Sequence, residues 1–267
     1  MKYEQIQEDC QMVAAEDCYV PDCLFPTDND WEVPTLREDM QPEVVDIPAV
    51  LFGEQKRTFQ MNGCGTLHFY CDDYRFSSVY EHPEKIVQHH PRNIIEPNFS
   101  MFNEMPSAFG LQAVYKKRFI ARAMQEKGIR VFVDLNVAQK FYKLNLMGVP
   151  PGYRAFATRG YSDRLPALEL EYRIAEANAA LKGNKPLFLC YGGGRMCQGF
   201  CKEVGAVYIT PIVGIKHKEK AWAQLMQDNC IAFTDADYSK AAIEASQKQL
   251  RLDQIIDYNN QTKQIEQ

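Results

Sequence analysis

The chain has 267 residues, 46% of them hydrophobic, which is enough to bury a sizeable core in one barrel-sized α/β domain or in two smaller ones. No apolar run reaches the length of a membrane span, and the opening M-K-Y-E-Q-I-Q-E-D-C lacks the basic-then-apolar layout of a signal peptide, so the expected location is cytoplasmic. The formal net charge of −5 is unevenly spread: residues 1–45 hold twelve acidic residues against Lys2 and Arg37, which leaves the rest of the chain mildly basic.

Residues 1–45 are rich in Pro, Asp and Glu and show no sustained period of 2 or 3.6, so they read as an irregular acidic N-terminal extension. It is either solvated and partly ordered or folded back over a basic surface or partner, with Tyr19, Phe25 and Trp31 available to pin it. The nine cysteines are an odd number without a C-x2-C knuckle, which favours free thiols over disulfides or structural zinc.

From Ile47 onward, apolar runs rich in β-formers recur at 47–52, 67–71, 93–96, 129–134, 153–158, 187–191, 206–210 and 231–234. Helix-competent segments alternate with them at 109–127, 137–146, 164–182, 196–204, 217–227 and 238–252. Strands such as I-R-V-F-V and P-L-F-L-C are apolar throughout, as in a parallel sheet covered on both faces. The expected fold is therefore α/β, a TIM-like (β/α) barrel over residues 46–252, closed or incomplete, followed by a frayed Gln- and Asn-rich tail at 253–267. Gly128, Gly183 and Gly205 stand where helix C-terminal caps belong, Ser162 or Asp163 could cap the helix from Arg164, and Pro166 suits its first turn.

Ligands of parallel α/β folds bind at the carboxyl ends of the strands, so polar residues there are the candidates. Asp72 and Asp134 are expected to serve as acid/base or metal-binding carboxylates, with Asn98, Ser100 and Asn136 as orienting hydrogen-bonders. Arg159, Tyr191, Gly192, Gly193, Gly194 and Arg195 would form an anion cradle, because three glycines between strand and helix let backbone N–H groups approach a phosphate. The competing explanation of C-Y-G-G-G-R-M-C is a tight turn. Likewise D-L-N, Asp134 to Asn136, could bind a divalent cation with Asp72 or Asp73, or cap the next helix, and capping is the commoner role. His68 suits a hydrogen-bonded sheet histidine, and His89 and His90 fall at the opposite end from the expected site. Lys116, Lys117, Arg118, Arg122 and Lys127 are expected on the exposed face of their helix, with a nucleic-acid backbone contact as the alternative.

At H-F-Y-C-D-D-Y-R-F (68–76), E-P-N-F-S-M-F-N-E-M-P (96–106), Y-K-K-R-F-I-A (115–121) and Q-E-K-G-I-R-V-F-V (125–133) the chain resembles the bacterial and phage family called domain of unknown function 4417. The ordered match runs from about Leu67 to Thr210. The resemblance implies a phage or mobile-element origin and brings no activity with it. Where relatives commonly have P-D-F-S this chain has Asn98, which removes a base and a metal-binding charge, and where they have I-P-T-x-S-W it has V-F-V-D-L-N. The acidic arm looks like an addition particular to this protein. The leading expectation is binding, with hydrolysis as an option, of a phosphate-containing small molecule or nucleotide at the strand C-terminal ends. The alternatives are a non-enzymatic protein-binding inhibitor or scaffold acting through the arm and outer helices, and a replication-associated nucleic-acid binder.

Overall fold

The structure, a computed structural model, describes residues 25–54, 61 and 63–211. Tyr19, the strand expected at 231–234, the helices expected at 217–227 and 238–252 and the tail lie outside the described residues. The seven other expected strands are present: β1 (Ala49–Leu51), β2 (Thr66–His68), β3 (Asn93–Ile95), β4 (Arg130–Asp134), β5 (Ala155–Arg159), β6 (Leu187–Tyr191) and β7 (Val207–Ile209). Between them run α1 (Glu84–Val87), α2 (Ser107–Glu126), α3 (Tyr142–Asn145), α4 (Leu165–Ala180) and α5 (Gly194–Val204). No helix among the described residues is long and apolar enough to cross a membrane.

Every strand pairs in parallel with the next one in sequence, giving the order β1-β2-β3-β4-β5-β6-β7. Winding always in one direction curls such a sheet toward closure. The curl is measurable. The His68 ring on β2 and the Tyr191 ring on β6 lie 4.1 Å apart between centroids, although four strand steps in a flat sheet would separate them by about 19 Å. The sheet is therefore rolled into a nearly closed TIM-like barrel, and β1 and β7 are not paired with each other among the described residues.

Period-2 alternation sorts each strand into an inner and an outer face. Phe188 packs its ring on Tyr172 of α4, so Leu187, Leu189 and Tyr191 of β6 point into the barrel. Register carries that assignment round the sheet: Leu189 sits beside Ala157, Ala157 beside Asp134, and Tyr191 beside Arg159. Outside, Ile120, Ala121 and Met124 of α2, Leu168 and Ala175 of α4 and Cys197 and Cys201 of α5 belong to the same apolar core as the strands.

Helix ends follow the expected chemistry in part. Gly128, Gly183 and Gly205 have φ of +80°, +70° and +72° just past helix ends, and Pro166 occupies the first turn of α4. The cap of α4 is a correction: Arg164 holds that position with no side-chain cap bond, so neither Ser162 nor Asp163 serves. A larger correction concerns α2. Lys117 and Arg118 are 0% exposed and Arg122 7%, so three of the five cations expected on the outer face are inside. The buried stripe Gly110, Val114, Lys117, Arg118, Ala121 and Met124 has helical core spacing, and the two cations are part of it.

Residues 25–45 pack against the barrel without a long helix or strand. Phe25 meets Phe119 with ring centroids 5.4 Å apart and lies under the Arg122 guanidinium, whereas Trp31 is 63% exposed among the described residues. Gln125 of α2 grips the arm in both directions: its Oε1 accepts from Arg37 N at 2.7 Å and its Nε2 donates to the carbonyls of Arg37 and Met40. The arm's carboxylates then meet cations beside the N-terminal ends of the strands, Glu38 with Lys182, Glu43 with Arg130 and Asp46 with Arg92. A cavity of about 370 Å³ opens at this end, lined by His90, Arg92, Lys127 and Arg130 among others, and two of its cations are the ones that Asp46 and Glu43 engage.

Replacing Gln125 with Ala strands the buried groups it serves and is expected to cost about 2 kcal/mol or more. A lowered urea midpoint together with faster proteolysis within residues 25–46 checks this, and unchanged proteolysis would show that the arm is held by other contacts.

Candidate functional site

At the C-terminal mouth, His68, Asp134, Arg159 and Tyr191 all face the barrel interior. Asp134 is fully buried and its carboxylate meets four neighbours. The Tyr70 hydroxyl donates to Oδ1 at 3.0 Å, Asn136 N donates to the same oxygen at 3.3 Å, and Lys117 Nζ lies 3.5 Å from Oδ2. With its amide oriented to suit its neighbours, Asn98 donates to Oδ2 at 3.1 Å and accepts from Asn136 Nδ2 at 3.0 Å. Burial pushes the Asp134 carboxyl above its usual range and Lys117 pulls it back. Burial also raises the Tyr70 phenol, which therefore stays protonated as a donor to Asp134.

Beneath this carboxylate lies a buried ionic cluster with a backbone cause. β4 pairs with β3 through Phe132 and with β5 from Val133 onward, so the N–H of Asp134 has left the β3 ladder. Glu96 Oε2 accepts it at 3.2 Å and extends the ladder with a side chain. A carboxylate at 0% exposure needs counterions, and Arg118 contacts its other oxygen while Lys117 Nζ stands 3.6 Å away. Lys117 also donates to the Asp134 carbonyl at 2.8 Å, and Arg118 to the carbonyls of Asn145 and Met147. Glu171 of α4 adds a third buried acid, bonded to the Tyr142 hydroxyl at 3.2 Å and pushed up by burial to about 8. It is therefore mostly protonated at pH 7, and Glu96 and Asp134 are the two buried acids that Lys117 and Arg118 face.

On the other half of the mouth, the turns after β5 and β6 touch. A Cβ on Gly160 would sit 2.3 Å from the Gly192 carbonyl oxygen, and one on Gly193 would sit 2.3 Å from Cys197 Sγ and 2.7 Å from Gly160 C, so this contact admits no side chain. Gly194, open on its Cβ side, begins α5 and is followed by the exposed Arg195. Arg159 and Arg164 both stack on Tyr161, at 5.3 and 4.8 Å from its ring centroid. Arg159, Arg164 and Arg195 form no salt bridge with a carboxylate among the described residues. Below the turn, Cys190, Cys197 and Cys201 are buried free thiols, and a hydrogen bond with Cys190 lowers Cys197 to about 7.

The mouth thus gathers the expected residues into two groups. Asp134, Asn98 and Asn136 bond directly to one another, and Arg159 and Tyr191 adjoin Gly192, Gly193, Gly194 and Arg195. Two residues join neither group. Asp72 is exposed, and its neighbour Asp73 is the carboxylate that engages Ser100, accepting from its N–H at 3.0 Å and its hydroxyl at 2.9 Å. Asp134 and Asn136 do not cap the next helix: the 3-10 turn Gln139–Phe141 starts at Ala138 with no side-chain cap, because the Asp134 carboxylate is engaged inside the barrel. Among the described residues, no group of three or more His, Cys, Asp and Glu is arranged to hold a metal ion. Tyr70, Lys117, Arg118 and Glu171 were not among the expected site residues, and only the helical core spacing of the two cations signalled them.

Arg118→Ala leaves Glu96 buried without its closest counterion and is expected to destabilise the protein by about 3–5 kcal/mol, read from chemical denaturation. Glu171 in the folded state keeps a proton between its ordinary carboxyl range and pH 8 that the unfolded chain has released. Stability should therefore fall as pH rises through that window, by up to about 1.4 kcal/mol per pH unit, and level off above about pH 8. Urea midpoints between pH 5 and pH 9 should show this slope in the wild type and a flatter one in Glu171→Gln; identical slopes would remove Glu171 as its source.

A family model described as "Domain of unknown function (DUF4417)" matches residues 25–199. The match takes in residues 25–45, so that half of the acidic arm is part of the family domain and not an addition particular to this protein. "Gene 1 protein" of Mycobacterium phage D29 is 32% identical over 115 residues, 40% of this chain and 40% of that protein. "Gene 1 protein" of Mycobacterium phage L5 is 31% identical over 110 residues, 40% of this chain and 47% of that protein. The chain therefore covers less than half the length of these relatives. No solved structure matches. With more than half of its length, including β1 to β6 and most of the mouth, inside the matched region, the chain belongs to the DUF4417 family, which has relatives encoded by mycobacteriophages.

Proposed function

We propose that this phage-type protein acts in the host cytoplasm by binding a phosphate-containing small molecule or nucleotide at the C-terminal mouth of its barrel. The observation that carries this is the pair Arg159 and Arg164 stacked on Tyr161, with Arg195 exposed just after the glycine turn that packs on the same loop, three guanidinium groups without a carboxylate partner among the described residues. A guanidinium fork suits phosphate oxygens, and Arg195 stands in the first turn of α5, directly after the glycine turn. Asp134 supplies the carboxylate across the mouth. Held by Tyr70 and Asn98 and raised by burial, it is the group suited to orient a hydroxyl or water against the bound phosphate.

The nucleic-acid alternative based on α2 is the weaker reading, because Lys117 and Arg118 pair with Glu96 and Asp134 in the interior and only Lys116 and Lys127 of that stripe remain outside. The test is isothermal titration of the wild type and Arg159→Ala with ADP, ATP and inorganic phosphate. Binding of at least one phosphate compound, weakened about tenfold or more in Arg159→Ala and falling with salt, is expected, since a charge-assisted contact of this kind is worth about 1.5–3 kcal/mol. No heat with any of the three at millimolar concentration overturns the proposal. Phosphate release by the wild type and its loss in Asp134→Asn would add hydrolysis to binding.

A further inference from the structure

His68 was expected to be a hydrogen-bonded sheet histidine, and only half of its ring fits that description. Nδ1 accepts from Tyr70 N at 3.4 Å, which leaves the ring proton on Nε2. Nε2 is buried, the residue is 1% exposed, and no group among the described residues hydrogen-bonds to that nitrogen. A buried donor without an acceptor is costly to a fold, so its presence calls for a reason.

The surroundings are those of the mouth. The imidazole lies against Tyr191, at 4.1 Å, and Tyr70, at 5.4 Å, on the inner face of β2. Burial and the charge of Arg159 lower its pKa to about 3, so it is a neutral donor throughout the physiological range. Arg159 is the residue paired with Tyr191 across β5 and β6, and Tyr70 is the donor to Asp134. His68 therefore stands between the arginine half and the carboxylate half of the mouth, touching a member of each. A neutral N–H offers nothing to a cation and is satisfied by a hydrogen-bond acceptor, such as the oxygen that a phosphoryl or carbonyl group presents.

We propose that His68 is a ligand-contacting residue whose Nε2–H donates to an oxygen of the phosphate-bearing ligand held by Arg159. This rests on the function proposed above and assigns it a specific donor inside the barrel. The bond fixes the orientation of the ligand as well as adding affinity, because an analogue without an oxygen at that point would leave the N–H unpaired again.

Two measurements test this. Imidazole nitrogen NMR of the wild type should show the Nε2–H tautomer and a shift of the Nε2 resonance on addition of ADP or inorganic phosphate, whichever binds. His68→Phe keeps a ring for Tyr191 while deleting the donor; its urea midpoint should match or exceed that of the wild type, and its affinity for the same probe should fall about tenfold. Wild-type binding that Arg159→Ala weakens, with an unmoved Nε2 resonance and unchanged affinity in His68→Phe, overturns the role of His68 and leaves the anion site standing. Absence of binding by the wild type overturns both.

Discussion

The hydrogen bond from Asp134 N to the Glu96 carboxylate is the contact on which the rest of this barrel depends. Where β4 turns from one neighbour to the other, a peptide group would be left without a ladder partner, and unsatisfied buried backbone is among the most expensive defects a fold can carry. Glu96 repairs the ladder at the cost of burying a charge. That charge summons Arg118 and Lys117 into the core stripe of α2, and they in turn reach the carbonyls of Asp134, Asn145 and Met147. One strand, one long helix and the loop after α3 are thus locked into a single orientation. Replacing such a cluster by apolar residues need not destabilise a protein, so its value here is geometric: it aims the Asp134 carboxylate into the mouth.

The two ends of the barrel spend their polar groups differently. At the N-terminal end the arm consumes them: Gln41 accepts from Arg154 N, Arg130 donates to the Gln41 carbonyl, and Asp46 accepts from Gly65 N. At the C-terminal end, among the described residues, Arg159, Arg164 and Arg195 have no carboxylate partner and the His68 Nε2–H has no acceptor. Such a division is the usual one in (β/α) barrels, where one face supplies stability and the other supplies chemistry.

Element positions were legible because strand and helix periods alternate cleanly from Ile47 onward, and the turn after β6 was legible because three glycines can follow a strand only for a backbone reason. Side-chain partnerships were harder. Lys117 and Arg118 look like ordinary surface cations when charge alone is weighed, whereas their places between Val114 and Ala121 mark them as core. Asp72 and Asp73 are adjacent and chemically identical, and only the approach of Ser100 from another loop decides which is engaged. His68 was legible as a hydrogen-bonded sheet histidine, but its open Nε2 was not, since that is defined by what other elements do not offer it.

The arm's bonds also impose an order of assembly. Gln41 and Arg154 are 113 residues apart, and Gln125 and Arg37 are separated by 88. Loop-closure entropy grows slowly with such distances, so the separation itself is not the obstacle. The binding surface is: it consists of α2 together with the entry to β5, and neither exists until the middle of the chain has folded. The arm is made early on the ribosome, and its docking waits for α2 and the entry to β5, which are synthesised about a hundred residues later.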